Sequence, residues 1–144
     1  MKPVRSMKML AMCGALALSP ILAAQAAPTI DYGKAEFDAN CAGCHGPRGK
    51  GDGHFAQFLN TPPSDLTALT RNNGKVFPYE RVRDVIDGRQ TVRGHWGGEM
   101  PIWGADYSAQ ARSLYRGIPK ARVDAMVRDK INLLVEYIVR IQAK

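Results

Sequence analysis

The residues best suited to do chemistry form a short cluster, Cys41-Ala42-Gly43-Cys44-His45. Two thiols separated by two residues and followed directly by a histidine have the spacing at which a chain attaches haem covalently. Each thiol adds to a vinyl group, and the histidine ligates the iron. The small intervening residues let the chain pass close to the porphyrin edge. The motif predicts one covalent haem c, bound by Cys41 and Cys44, with His45 as an axial ligand.

Two other chemistries use the same residue types. A redox-active disulfide between Cys41 and Cys44 would sit in a fold of alternating strands and helices, and no strand pattern precedes the motif. Zinc would join the cysteines to two of His45, His54 and His95. Structural zinc sites usually bring a second closely spaced ligand pair, and His54 and His95 lie far apart in the sequence. Haem attachment is the favoured interpretation, with these two as alternatives.

The second axial position of the iron has four candidate ligands, Met100, Met126, His54 and His95. Met126 falls in a predicted helix, one position off its apolar stripe, where methionine usually fills core space. Met100 lies in residues 97–104, whose glycines and proline predict a loop that can turn a side chain toward the haem. We therefore expect Met100 to be the second ligand, with His95 of the same loop as runner-up. A thioether ligand raises the reduction potential relative to a second imidazole.

Two helical patterns frame these residues. The first begins near Asp31 and repeats Gly33, Phe37 and Cys41 along one face. A glycine within a helix costs roughly 1 kcal/mol relative to alanine, so Gly33 suggests close approach by another element. The second pattern, from about residue 122 to 142, carries an apolar stripe at helical spacing. We predict that these helices pack together and close the domain.

The first 26 residues have the pattern of a secretory signal peptide. Basic residues precede an apolar run at residues 9–24, and Ala24-Gln25-Ala26 is a small-residue cleavage pattern. The run falls short of the roughly 20 residues that span a bilayer, so an uncleaved anchor is the weaker alternative. We expect a signal peptide at residues 1–26, a single haem domain at residues 27–144, and a periplasmic location.

Composition and charge narrow the possible partners. The chain has 144 residues, three cysteines and a formal net charge of +7, which fits one small globular domain without a disulfide framework. Residues 27–104 hold nine basic and nine acidic side chains, whereas residues 105–144 hold eight and four. This basic surface could steer an acidic redox partner or be only a solvated helix face. No nucleic-acid-binding pattern is present, and we expect membrane association only through a partner.

Taken together, these motifs resemble the class I c-type cytochromes, specifically the small single-haem bacterial kind. The resemblance includes the glycine-rich loop at residues 46–53, the sequence Met100-Pro101-Ile102-Trp103-Gly104, and Gly33 with Phe37. It implies His45 and Met100 as the iron ligands.

The same resemblance implies how the chain packs around the haem. Gly33 and Phe37 would contact a final helix that carries Tyr137, with Leu134 in the same seam. A proline carbonyl, of Pro62 or Pro63, would accept the ring N–H of the histidine ligand and so tune it.

Residues 105–121 depart from this resemblance, because a minimal cytochrome has a shorter segment before its last helix. This segment would cover a haem edge, form a partner surface, or be an inert surface addition.

These observations predict an all-α, cytochrome c-like fold of short helices around one haem. The predicted function is one-electron transport between a donor and an acceptor protein in a respiratory or dehydrogenase-linked chain, without catalysis. Trp103 is expected to help exclude water from the iron. The competing hypothesis is a haem enzyme or gas sensor with a labile sixth coordination position.

Overall fold

The computed structural model describes residues 29–90 and 100–143. Within these ranges the regular structure is entirely helical, as predicted, and no helix is long and apolar enough to cross a membrane. Single 3₁₀ turns occur at Ala56–Phe58 and Leu66–Ala68. The α-helices are α1 (Tyr32–Asn40), α2 (Ala42–His45), α3 (Leu69–Asn72), α4 (Tyr79–Asp87), α5 (Trp103–Leu114) and α6 (Lys120–Arg140).

Helix α1 begins where the sequence predicts. Asp31 is the N-cap, and its side chain accepts a hydrogen bond from the backbone N–H of Lys34 at 3.0 Å. This bond satisfies one of the amide donors that a helix start leaves without a partner. The Asp31 carboxylate also accepts hydrogen bonds from Arg140 at 2.6 and 2.7 Å. The last turn of α6 is thereby tied to the first turn of α1.

Helix α6 supplies most of the core. It spans 21 residues and begins two residues before the predicted start, directly after Pro119. The proline favours this boundary because its fixed φ angle and missing N–H suit a helix start. Met126 packs against the core as a partly buried side chain, as predicted. The buried residues of α6 are Val123, Val127, Ile131, Leu134, Val135, Tyr137 and Ile138.

The predicted contact between the first and last helices is confirmed. Gly33 is buried, and a Cβ placed on it would overlap the backbone oxygen of Leu133 and lie 3.1 Å from Tyr137 Cβ. One turn later Phe37, which is fully buried, packs with its ring centroid 5.0 Å from that of Tyr137. The absence of a side chain at Gly33 is what lets α1 approach the backbone of α6. Phe37 then fills the space beside Tyr137.

The segment after Met100 differs from the prediction. Trp103 and Gly104 belong to the first turn of α5 and not to a loop. Residues 105–121 are also not an inert surface addition, because Tyr107 and Ala111 are 3% and 6% exposed and form part of the core. The sequence from Ala105 to Leu114 contains no glycine or proline and several strong helix formers, so the helix continues until it nears Gly117.

Candidate cofactor site

A cavity of about 490 Å³ lies between α1, α4, α6 and the segment that leads into α3. Its volume is within the range of roughly 300–1,000 Å³ that is usual for cofactor and ligand sites. The walls are predominantly apolar, with side chains from several helices facing one another across the space. Among the lining residues are Phe37, Leu66, Leu69, Val82, Val85, Ile86, Leu134 and Ile138.

Four of the predicted site residues, Cys41, His45, Met100 and Trp103, line this same cavity. The cavity therefore brings the haem-attachment motif and the predicted second ligand together, although they are far apart in the sequence. Cys44 is half-buried in α2 and does not contribute to the lining.

His54, one of the alternative ligands, does not line the cavity. His54 is exposed and packs edge-on against Phe55 and Phe58, with ring centroids 5.3 and 6.3 Å away. His95 lies outside the residues that the structure describes.

The imidazole of His45 is buried, with 6% of the residue exposed. Its Nδ1 lies 3.2 Å from the backbone oxygen of Ser64. A carbonyl oxygen can only accept, so Nδ1 carries the proton and donates, which leaves Nε2 with its lone pair available for a metal. Burial lowers the pKa of His45, and the hydrogen bond to Ser64 offsets part of that effect. A neutral imidazole in this tautomer is the form that ligates iron.

The carbonyl that accepts this hydrogen bond differs from the expected one. The resemblance implied Pro62 or Pro63, whereas the structure places the oxygen of the next residue, Ser64, at His45. The physical reason lies in the glycine-rich loop after the motif, which fixes the position of this segment.

The loop first binds back to the motif. The backbone N–H of Gly51 donates to the oxygen of His45 at 2.8 Å, and that of Gly53 donates to the oxygen of Cys44 at 3.1 Å. These bonds satisfy carbonyl groups that the end of a short helix leaves without partners. A Cβ on Gly53 would overlap the backbone of α2. Glycine at this position therefore allows the loop to lie directly on the haem-attachment motif.

The loop also holds the segment that carries Ser64. The oxygen of Gly49 accepts a hydrogen bond from the N–H of Leu66 at 2.7 Å. Gly51 has a φ of +81°, and a Cβ there would overlap the backbone oxygen of Pro63. With the Pro63 carbonyl directed at Gly51, the next carbonyl, that of Ser64, is the one presented to His45.

The C-terminal end of the chain supports the same segment from the other side. The Gln142 side chain donates from Nε2 to the oxygen of Leu66 at 2.7 Å and accepts at Oε1 from the N–H of Thr70 at 2.9 Å. Nothing in the sequence singles out Gln142 for this role. A polar side chain just after a terminal amphipathic helix is too common to single out, because most such residues are solvated.

Replacing Gly51 with alanine tests the role of the loop. We expect a loss of about 3 kcal/mol in the free energy of unfolding, because the positive φ costs 1–2 kcal/mol and the contact with Pro63 adds overpacking. Gly117→Ala is the matched control, since Gly117 has a φ of +75° but no heavy atom within 4 Å of its would-be Cβ. Urea denaturation of the haem-loaded proteins measures both. An equal loss of unfolding free energy in the two variants would show that the contact with Pro63 does not contribute to stability.

The environment of Cys41 bears on the alternative chemistries. Burial, with the nearby Glu36 carboxylate and Cys44, raises the pKa of the Cys41 thiol to about 12. Thiols that exchange with disulfides or bind zinc act as thiolates and are usually found where the pKa is lowered. In the described part of the chain, no group of three or more histidine, cysteine or acidic residues is arranged to bind a metal ion. The raised pKa of Cys41 disfavours the disulfide and zinc alternatives, because both depend on a thiolate.

Trp103 is held against the cavity by a cluster behind it. Its ring packs on Tyr107 with a centroid separation of 5.6 Å. The Lys130 ammonium lies 4.3 Å from the centre of the Tyr107 ring and 3.2 Å from the Glu36 carboxylate. This cluster joins α1, α5 and α6, so the tryptophan is a fixed part of the wall. Tyr107 was not recognised from the sequence as a core residue, because its segment was not expected to pack inside the domain.

An all-helical domain with a haem-attachment motif on the wall of an apolar cavity defines a c-type haem protein. Comparison with protein families supports this class, because the cytochrome c family profile matches residues 30–141. The chain therefore belongs to the cytochrome c family, and its cofactor is one covalently attached haem c. Comparisons with curated proteins and with solved structures gave no match.

The site fits this cofactor in its chemistry. A porphyrin is a large apolar ring, and the cavity offers mainly apolar side chains together with a buried neutral imidazole and the Cys41 thiol. Members of the family are haem-based electron carriers and are not typically enzymes.

Proposed function

We propose that the protein is a periplasmic one-electron carrier whose haem iron is ligated by His45 and Met100. The observation that carries this proposal is that both side chains line one cavity. Cys41 and Cys44 form the two thioether bonds. The bound haem would supply a one-electron couple between ferrous and ferric iron, with no bond of a substrate made or broken.

His45 and Met100 would together hold the haem iron from the protein. With both in place, no position would remain for peroxide, oxygen or carbon monoxide, so catalysis and gas sensing are disfavoured. Trp103 and the apolar walls keep water from the iron, and a dry environment with a thioether ligand raises the reduction potential. Partners that receive its electrons therefore have potentials still more positive than that of this haem.

The donor and the acceptor are proposed to be redox proteins. Helices α5 and α6 and the loop between them carry cations that form no ion pair with the described residues. These cations provide a surface that steers an acidic partner during encounter. Lys120, Arg112 and Arg128 all lie close enough to lower the pKa of Asp124, so the positive charges are clustered. Association with a membrane is proposed to occur only through such a partner. The unpaired cations are Arg112, Arg116, Arg122 and Arg128.

Export is the part of the proposal that rests on residues 1–26 acting as a cleaved signal peptide. The intact mass of the protein isolated from the periplasm tests it. The expected mass is that of residues 27–144 with one haem attached. A chain that retains residues 1–26 would contradict the cleavage.

Electron carriage is tested by an anaerobic redox titration of the haem-loaded protein followed by addition of hydrogen peroxide. A carrier is expected to titrate reversibly with one electron per haem and to consume no peroxide beyond the electrons it stores. Continuous consumption of peroxide in the presence of a reductant would instead establish a haem enzyme with an accessible iron.

A further inference from the structure

The cavity has an apolar interior and a polar mouth. The interior is formed by side chains that are almost fully buried, among them Phe37 and Leu134, each 0% exposed. The exposed polar residues that line the same cavity are Ser64, Asp65, Asn72, Asn73 and Arg81. Exposed residues that also line the cavity must lie where it opens to solvent. These exposed polar residues therefore mark the mouth of the cavity.

Arg81 differs from its neighbour Arg83 in how its charge is used. Arg83 is bound within its own helix, with Nη2 2.6 Å from Glu80 and 3.1 Å from Asp84. Arg81 forms no ion pair with any residue in the described ranges. It lies on the cavity side of α4 with Val82. The helix thus places an uncompensated guanidinium beside an apolar cavity.

Among the described residues that line the cavity, Asp65 is the acidic one, and its side chain is already hydrogen-bonded. Its Oδ1 accepts hydrogen bonds from the N–H of Thr67 at 2.9 Å and from its hydroxyl at 2.6 Å. These bonds lower the pKa of Asp65, so it is a carboxylate that caps the next 3₁₀ turn. It forms no ion pair with Arg81.

Haem c carries two propionate groups on one edge of an otherwise apolar ring. A carboxylate taken partly out of water is costly unless it is paired or hydrogen-bonded, and a guanidinium is its best partner. We infer that the polar mouth binds the haem propionates, with Arg81 as the paired cation and the side-chain amide of Asn72 as a further donor. The propionate edge then faces solvent, and the ring enters the apolar interior.

Pairing of Arg81 with the propionates would affect the reduction potential of the haem as well as its orientation. The positive charge of Arg81 offsets the negative charge of the propionates, which would otherwise stabilise ferric iron. Arg81 is therefore a determinant of the reduction potential. The inference rests on the presence of haem c and not on Met100 being the second ligand.

The test compares Arg81→Gln, Arg81→Lys and the control Arg83→Gln, each as the haem-loaded protein in an optical redox titration. For Arg81→Gln we expect the ratio of reduced to oxidised haem at a fixed ambient potential to fall about threefold to tenfold, and tenfold corresponds to about 59 mV for one electron. Arg81→Lys keeps the charge and should keep most of the potential. Arg83→Gln should change the ratio less than twofold.

Equal shifts in Arg81→Gln and Arg83→Gln would overturn the inference, because they would reflect only the net charge of the protein. A shift in Arg81→Lys as large as that in Arg81→Gln would also overturn it, because lysine keeps the positive charge. The reduced spectrum, recorded with and without carbon monoxide, separates this test from that of the iron ligands. Unchanged spectra with an unchanged potential would refute the role of Arg81 while leaving His45 and Met100 ligation intact.

Discussion

Replacing Met100 with alanine is expected to lower the reduction potential and to open the iron to carbon monoxide. The thioether stabilises ferrous iron, so its loss favours the ferric state. We expect a fall on the order of 0.1–0.3 V, part of the roughly 0.8 V range that axial ligands control. Loss of a protein ligand also leaves a position that carbon monoxide can occupy. Redox titration and the reduced spectrum with and without carbon monoxide measure both effects.

Met126→Ala is the matched control for that experiment. Met126 packs against the core from α6 and does not line the cavity, so its removal should cost stability and leave the potential nearly unchanged. An unchanged potential and spectrum in Met100→Ala would refute the assignment of Met100. A low potential in the wild-type protein, without carbon monoxide binding, would instead favour a histidine such as His95.

Replacing Gly33 with valine is expected to cost at least about 3 kcal/mol of folding free energy, at the upper end of overpacking effects. The first atom of any side chain there overlaps the backbone oxygen of Leu133, and a backbone atom moves only if the whole helix moves. Helix propensity points the opposite way, since alanine is preferred over glycine by about 1 kcal/mol. Gly33→Ala should therefore also destabilise, by about 2 kcal/mol, because the steric term is larger.

Urea denaturation of the haem-loaded variants measures these changes. Ala35→Val is the control, because Ala35 lies on the exposed side of the same helix and should lose less than about 1 kcal/mol. A Gly33→Ala protein as stable as the wild type would mean that the two helices do not approach as closely as described.

The parts of the fold that the sequence predicted well are those with a strong local pattern. Helix α1 has a capping aspartate and a repeat of buried positions, and α6 has a long apolar stripe. Gly33 also indicated that these two helices pack against each other, because a glycine within a helix suggests close approach by another element. In these cases local preference and tertiary packing agree, and the prediction was within two residues at the start of α6.

Helix α5 was missed because its local signals conflict. Pro101 and Gly104 lie at its start and are typical of loops, so the sequence suggested that Trp103 continues a loop. A proline just before the first turn is compatible with a helix, and the burial of Tyr107 and Ala111 then stabilises it. Burial of this kind depends on long-range packing, which a single sequence does not reveal.

The site was only partly predictable for the same reason. The spacing of Cys41, Cys44 and His45 is a local motif and predicts the cofactor directly. The carbonyl that binds His45 depends on how a glycine loop meets a segment about ten residues further on, so Ser64 could not be distinguished from Pro62 or Pro63.

The central claim is that His45 and Met100 together close the coordination of the haem iron. The most direct measurement is an optical redox titration of the wild-type, haem-loaded protein, with the reduced spectrum repeated under carbon monoxide. We predict a positive midpoint potential and a reduced spectrum that carbon monoxide does not change. Ready binding of carbon monoxide would contradict the claim and would make a haem enzyme or gas sensor the better account of this protein.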